Sequence, residues 1–321
     1  MKKTQRTENP YKNTDTNKRY YTYEYYLRKK FGKKLARIPL DIGLTCPNID
    51  GKCSVGGCIY CSPRGSGDFA ESALLPLREQ YEILCARLAS KWDTSHTVAY
   101  FQAHTNTYAP LEYLRSRFEE ALTFEGVEAL SIATRADCLG EDICEYLSEL
   151  AERIPLTVEL GLQSSSDKTA ELINRGHDFA TFCDGYHRLR QASDKIEIGV
   201  HIIFGLPDES EDDMLKTVRD VALLKPDQVK IHLLHVIAGT RLAAIYERGE
   251  YIPLSKDEYV SIAVKALELL PPDTVVARIT GDAPSELLLA PEWSRKKVSV
   301  INDIDKFLYE KQTYQGIKYL T

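Results

Sequence analysis

No stretch of this sequence approaches the roughly 20 consecutive apolar residues that a membrane span requires. The opening MKKTQRTENPYKNTDTNK carries basic residues with no apolar stretch behind them, so it lacks the form of a secretory signal. A cytoplasmic protein with no membrane partner is the expectation. Positive charge is not in excess either: 41 Lys and Arg stand against 47 Asp and Glu, a formal net charge of −6. That excludes a chain that coats nucleic acid with its whole surface, although not a local basic patch. Internal repeats and low-complexity blocks are missing. A disulfide framework has no place here, because such frameworks belong to small secreted domains. At 321 residues, 43% of them hydrophobic, the chain can bury a sizeable core without one.

The eight cysteines therefore need another explanation, and their distribution divides them. Cys46, Cys53, Cys58 and Cys61 crowd into one short segment, whereas Cys85, Cys138, Cys144 and Cys183 are scattered and read as ordinary half-buried thiols. Around them, short β-branched runs at 38–44, 98–102, 129–134, 157–163, 197–203 and 228–234 alternate with helical patterns. The segment 76–92, for example, spaces Leu77, Tyr81, Leu84 and Leu88 at helical intervals, and 110–124, 141–152, 179–192 and 211–224 follow suit. The alternation predicts an α/β fold, an incomplete parallel (βα)6 barrel with crossover helices. Polar residues gather where the strands finish, at Thr45, Cys46, Gln102, Arg135, Gln163, Ser164 and the His232/His235 region. Parallel barrels build their active sites at that end. Further on come a helix over 255–271, capped by Ser255 with Glu258 three residues later, a strand over 274–280 and a helix over 298–312. The expected organisation is a disordered tail (1–17), a partial barrel (18–240) and an α/β extension packed on it (241–321).

The chemistry concentrates in DIGLTCPNIDGKCSVGGCIYCSPRGSGDF, residues 41–69, which follows the first strand. Thiolates in an irregular loop are soft ligands for zinc or for an iron–sulfur cluster. A zinc ribbon usually shows two Cys-x-x-Cys pairs, and only Cys58–Cys61 is present. A cluster needs thiols converging from several directions and backbone N–H groups near its sulfurs, which Gly56 and Gly57 can supply. Glu159 lies mid-strand in TVELGLQ, so its carboxylate must be paired or wet; a ribose diol and Arg135 are both candidate partners.

The spacing Cys46-x11-Cys58-x2-Cys61 resembles the radical S-adenosylmethionine (SAM) proteins of the YhcC-like group, relatives of the Elongator catalytic subunit and of the coproporphyrinogen-type enzymes. The resemblance runs from about Tyr20 to the C-terminus. It is carried by KKFGKKLARIPLDIGLTCPN, YFQAHTNTYAP, SIATRADCL, ELGLQS, INRGHDF, HIIFGLPDES and KIHLLHVIAGT, in that order. It implies a 4Fe–4S cluster on Cys46, Cys58 and Cys61, and SAM held by Tyr60, Gln102, Asn106, Glu159, Gln163, Ser164 and Arg175. Cys53 departs from the three-cysteine pattern and reads as a bystander, the alternatives being a replacement for Cys46 or a fourth ligand. Arg135, His201, His232 and His235 are the candidate catalytic residues, with Tyr108, Lys230 and Arg278 also facing substrate.

For the substrate, the segment NKRYYTYEYYLRKKFGKKLAR (17–37) interleaves basic residues with tyrosines, a composition suited to phosphates and unpaired bases. The same composition suits an amphipathic helix that packs its tyrosines on the barrel. The resemblance implies tRNA as partner, and conversion of 5-carboxymethylaminomethyl-uridine to 5-aminomethyl-uridine at the wobble position. It also implies a flavodoxin- or ferredoxin-type electron donor and a downstream methyltransferase. The rival readings are a radical SAM enzyme on another small molecule or protein, and a metal-stabilised RNA-binding module without activity.

Overall fold

The computed structural model describes residues 9–65 and 67–320. Its sheet strands are β1 (Ala36–Leu40), β2 (Thr97–Phe101), β3 (Val127–Thr134), β4 (Leu156–Gln163), β5 (Ile196–Phe204), β6 (Gln228–Leu233) and β8 (Val275–Arg278). A two-stranded ribbon of β7 (Val236–Ile237) and β9 (Leu288–Ala290) stands apart. The seven sheet strands pair in parallel in the order β1-β2-β3-β4-β5-β6-β8, with β1 and β8 at the edges and the Val276 N–H of β8 donating to the Tyr21 carbonyl at 2.8 Å. The helices between strands include α1 (Tyr23–Phe31), α2 (Leu77–Leu88), α3 (Leu111–Leu122), α4 (Glu141–Ala151), α5 (Asp167–Leu172), α6 (Phe179–Ala192) and α7 (Glu211–Leu224). They are followed by α8 (Arg241–Glu247), α9 (Lys256–Leu269) and α10 (Lys297–Glu310).

The strands form where β-branched and aromatic residues run together, and both faces are covered, as parallel sheets require. Leu130, Ile132, Val158, Leu160, Ile198, Val200 and Ile231 are fully buried. Capping boxes start α7 (Ser210 with Asp213) and α9 (Ser255 with Glu258). No helix among the described residues is long and apolar enough to cross a membrane.

Three expectations change. The first strand stops at Leu40 rather than at Thr45. Gln80 takes over the ladder there: its side chain accepts from the Asp41 N–H at 3.0 Å and donates to the Asp41 carbonyl at 2.9 Å. The cysteine loop is thus longer than the pattern suggested. The extension does more than pack on a six-stranded barrel, because β8 pairs with β6 and supplies a seventh strand. And the tail is ordered from Asn9 on. Tyr11 is buried and donates its hydroxyl to the Pro272 carbonyl at 2.6 Å, and Asn9 holds the Thr16 and Lys18 carbonyls. The rest of the expected tail, residues 1–8, lies outside the described residues.

The basic–tyrosine segment becomes α1 and closes the barrel at the strand beginnings, the end opposite the cysteine loop. Tyr26 donates to Glu197 at 2.5 Å, near the start of β5, and Lys30 reaches the same carboxylate at 2.7 Å. Lys33 pairs with Glu128 at 2.8 Å and Lys34 with Glu24 at 2.9 Å. The tyrosines pack and most of the cations are spent on acids.

Candidate active site at the cysteine loop

The loop after β1 is shaped by its own backbone and by a second loop. Ile49 N–H donates to the Cys46 carbonyl at 2.8 Å, Cys53 to Pro47 at 2.8 Å and Gly57 to Asn48 at 2.8 Å. Gly56 and Gly57 take positive φ (77° and 69°), which lets the chain double back before Cys58. The INRG turn braces this from outside. Asn174 donates to the carbonyls of Val55 (3.0 Å) and Gly57 (2.6 Å). Gly176, at φ 81°, leaves room where a Cβ would meet Asn48 at 3.1 Å.

Cys46, Cys58 and Cys61 line one cavity of about 130 Å³, together with Tyr60, Gln163 and Arg175. Asn48 links two of the thiols, accepting from Cys46 Sγ at 2.8 Å and donating to Cys58 Sγ at 3.4 Å. Burial, reinforced by Cys58 and Cys46, pushes the Cys61 thiol up to about 12. Three thiolates cannot share such a cavity unless a cation supplies the compensating charge, which is the condition a metal cluster meets. Cys53 is exposed, lies outside that lining and faces Asp137 at 3.7 Å, so the four cysteines do not form a four-thiolate zinc site. The residues therefore fit a three-cysteine cluster. Arg135 sits against it rather than toward open space: Nη1 is 3.9 Å from Cys46 Sγ and 2.8 Å from the Arg175 carbonyl, and the guanidinium pairs with Asp137 at 2.7 Å. Its expected pairing with Glu159 does not occur.

Glu159 is instead the centre of a buried network inside the barrel. One oxygen accepts from Arg37 and from Ser131 Oγ (2.9 Å). The other accepts from Tyr100 OH (2.8 Å), His201 Nε2 (3.0 Å) and Lys230 Nζ (2.5 Å). Burial opposes its charge, but Arg37 and Lys230 overcome the penalty and hold the carboxyl well below the usual range. With its lone pairs filled, Glu159 has nothing left for a ribose diol, although it borders the cavity. Burial, with Lys230 adding to it, lowers His201 to about 4, so its imidazole is neutral and Nε2–H donates.

The other expected residues divide. Gln102, Gln163, His201, His232 and His235 line a second chamber of about 210 Å³ that shares Tyr60 and Cys61 with the first. Asn106 and Ser164 do not reach either. Asn106 is fully buried and spends its amide on the Ala103 (3.1 Å) and Ala133 (2.9 Å) carbonyls, tying the loop after β2 to β3. Ser164 donates to Glu209 at 2.5 Å and braces the turn after β4. Arg175 stays at the cavity. One Nη donates to the Gly161 carbonyl, while its buried Nε meets no partner among the described residues. Sequence reasoning missed Arg37, Tyr100, Ser131 and Asn48. The first three had a signal, since almost every strand carries one polar residue at an inward position and the register aligns them, Tyr100 beside Ser131 and His201 beside Lys230.

A partial parallel barrel with three thiols gathered beyond its first strand defines a class of enzyme in which a metal cluster works at the strand-end mouth. The chain belongs to the radical SAM superfamily, matching it over residues 49–221 and the Radical_SAM C-terminal domain over residues 226–310. It is 46% identical over 308 residues to YtqA of Bacillus subtilis (strain 168), covering 96% of this chain and 95% of that protein. It is 31% identical to protein YhcC of Escherichia coli (strain K12), covering 88% and 90%. The tRNA uridine(34) acetyltransferase of Methanocaldococcus jannaschii is 29% identical over half of this chain and 29% of its own length. Among solved structures, the archaeal Elp3 of Methanocaldococcus infernus shares the fold, with a TM-score of 0.65 at 20% identity over 88% of this chain and 64% of that one.

Radical SAM enzymes bind a 4Fe–4S cluster and SAM. When bound, these supply a 5′-deoxyadenosyl radical that takes a hydrogen atom from the substrate. The protein's share is positional. Asn48 and Arg135 place N–H groups toward ligand sulfurs, which favours the more reduced state of such a site.

Proposed function

We propose that this enzyme modifies tRNA at the wobble uridine, converting 5-carboxymethylaminomethyl-uridine to 5-aminomethyl-uridine. The observation that carries the reading is the match of half the chain to a tRNA uridine(34) acetyltransferase. Loss of a hydrogen atom and then of one electron from the carbon between the side-chain nitrogen and the carboxylate, with cleavage of SAM to methionine and 5′-deoxyadenosine as the oxidant, would give an imine that water hydrolyses to the amine and glyoxylate. The three cysteines hold the cluster, and Tyr60, Gln102, Gln163 and Arg175 hold SAM, the free Nε of Arg175 serving the methionine end. His201, His232 and His235 face substrate in the adjoining chamber. A flavodoxin- or ferredoxin-type donor supplies electrons, a methyltransferase consumes the product, and the reaction takes place in the cytoplasm.

Mass spectrometry of tRNA nucleosides tests this. A deletion strain should accumulate 5-carboxymethylaminomethyl-uridine and lose the aminomethyl product. Unchanged wobble nucleosides, in a strain with no second route, would leave a radical SAM enzyme with a different substrate.

A further inference from the structure

The chamber beside the thiol cavity is lined by side chains that are only partly engaged by their neighbours. Arg278, on β8, lines it, is about a third exposed, and among the described residues makes one side-chain polar contact, an ion pair with Asp282 at 3.7 Å. Asp282 is already held by Lys297 at 2.5 Å. His232, on β6, has a buried Nε2 with no partner among the described residues, and its ring lies 5.2 Å from that of His201. Lys230 spends two of its three donors on Glu159 and, at 3.3 Å, on Tyr100 OH. Of the acids bordering the chamber, Asp282 is held by Lys297 and Asp68 accepts from Ser62 at 3.1 Å, while Glu159, just outside the lining, accepts from five donors. A buried polar atom without a partner costs roughly 1–3 kcal/mol, and the Nε2 of His232 is one, so the site is arranged for something that arrives. The field of Arg278 also contributes to holding His201, His232 and His235 in their neutral forms, after burial itself.

We propose that Arg278, His232 and the remaining Lys230 donor form a subsite for a carboxylate on the substrate, at the seam between β6 and β8. A guanidinium fork matches the two coplanar oxygens of a carboxylate. At about 210 Å³ the chamber admits a base with its side chain, and a backbone phosphate would have to bring its sugars with it. The assignment deepens the wobble-uridine reading and rests on it for the identity of the carboxylate, which the substrate has and the aminomethyl product lacks. The subsite thus selects substrate and releases product.

The test uses the full chain with its cluster and SAM, and two probes. N-Methylglycine, which reproduces the –NH–CH2–COO⁻ end, is followed by saturation-transfer NMR. tRNA carrying 5-carboxymethylaminomethyl-uridine is followed by steady-state kinetics. Wild type should bind N-methylglycine but not its methyl ester. Arg278→Gln should weaken that binding about tenfold and raise KM for the tRNA by a similar factor with a smaller change in kcat. Arg278→Lys should recover part of both, and His232→Phe should cost less, about threefold. Circular dichroism identifies any variant that fails to fold, and the Lys variant then carries the comparison. Wild-type binding of N-methylglycine that is absent, or unaffected by both substitutions, overturns the subsite even if tRNA is turned over. Inorganic phosphate competing better than N-methylglycine overturns the choice of carboxylate. Loss of N-methylglycine binding in Arg278→Gln, with tRNA untouched by wild type, leaves the subsite standing and removes the wobble-uridine reading.

Discussion

At the lower end of the barrel Tyr26, Lys30 and Glu197 satisfy one another within hydrogen-bond distance, and Lys33 and Lys34 each find an acid. At the upper end the Nε of Arg175 and the Nε2 of His232 are buried without partners among the described residues, and Arg278 has one distant ion pair there. Both ends are rich in cations and aromatics. What separates them is whether those groups are already spent. A cluster of basic residues in sequence says nothing about function until its partners are known, because a paired charge is a structural element and an unpaired buried donor is a vacancy for a ligand. Between the two ends lies the Glu159 network.

The sharpest way to separate the ends is at the thiols. Replacing Cys46, Cys58 or Cys61 with Ala should abolish iron–sulfur absorbance and SAM cleavage. Cys53→Ala should keep most of both, since Cys53 lies outside the cavity. Loss of the cluster in Cys53→Ala with retention in Cys46→Ala would invert the ligand assignment.

Next in size is the divider between the two ends. Glu159→Gln leaves Arg37 and Lys230 buried without their counter-charge, and should cost about 3–5 kcal/mol in denaturant unfolding. A cost below 1 kcal/mol would mean that the network is not held by charge.

A smaller effect concerns the upper rim, where burial raises the Glu209 carboxyl to about 6 from an ordinary 4.5. The folded protein then holds that proton more tightly than the unfolded chain, so stability is present at low pH and falls as pH rises from about 4.5 through about 6. Glu209→Gln, which keeps a partner for Ser164, should flatten this window and add on the order of 1 kcal/mol at pH 7. An unchanged pH profile would show that Glu209 is solvated like an ordinary surface acid.

Smallest of all, neutralising Lys29, Lys30, Lys33 and Lys34 together should lower stability by about 1 kcal/mol, as partly exposed pairs do. tRNA affinity should be unchanged. A steep loss of salt-dependent tRNA binding in that variant would make the lower end a nucleic-acid surface after all and break the comparison.

Periodicity by itself determined the strand–helix order, because apolar spacing registers burial directly; the helices at 76–92, 141–152, 211–224 and 255–271 all formed close to those bounds. Cysteine spacing determined which loop gathers thiols around one cavity, because three of them on one short segment need little help from the rest of the chain. The partners of polar groups were decided only by the fold. Glu159 could be read as needing a partner, but not that Arg37, 122 positions away, would be one of five. Asn106 and Ser164 stood at strand ends like true site residues and were turned toward backbone and Glu209 instead. Strand order and register set those pairings, and both depend on how helices stack on a curled open sheet, which no local run of residues encodes.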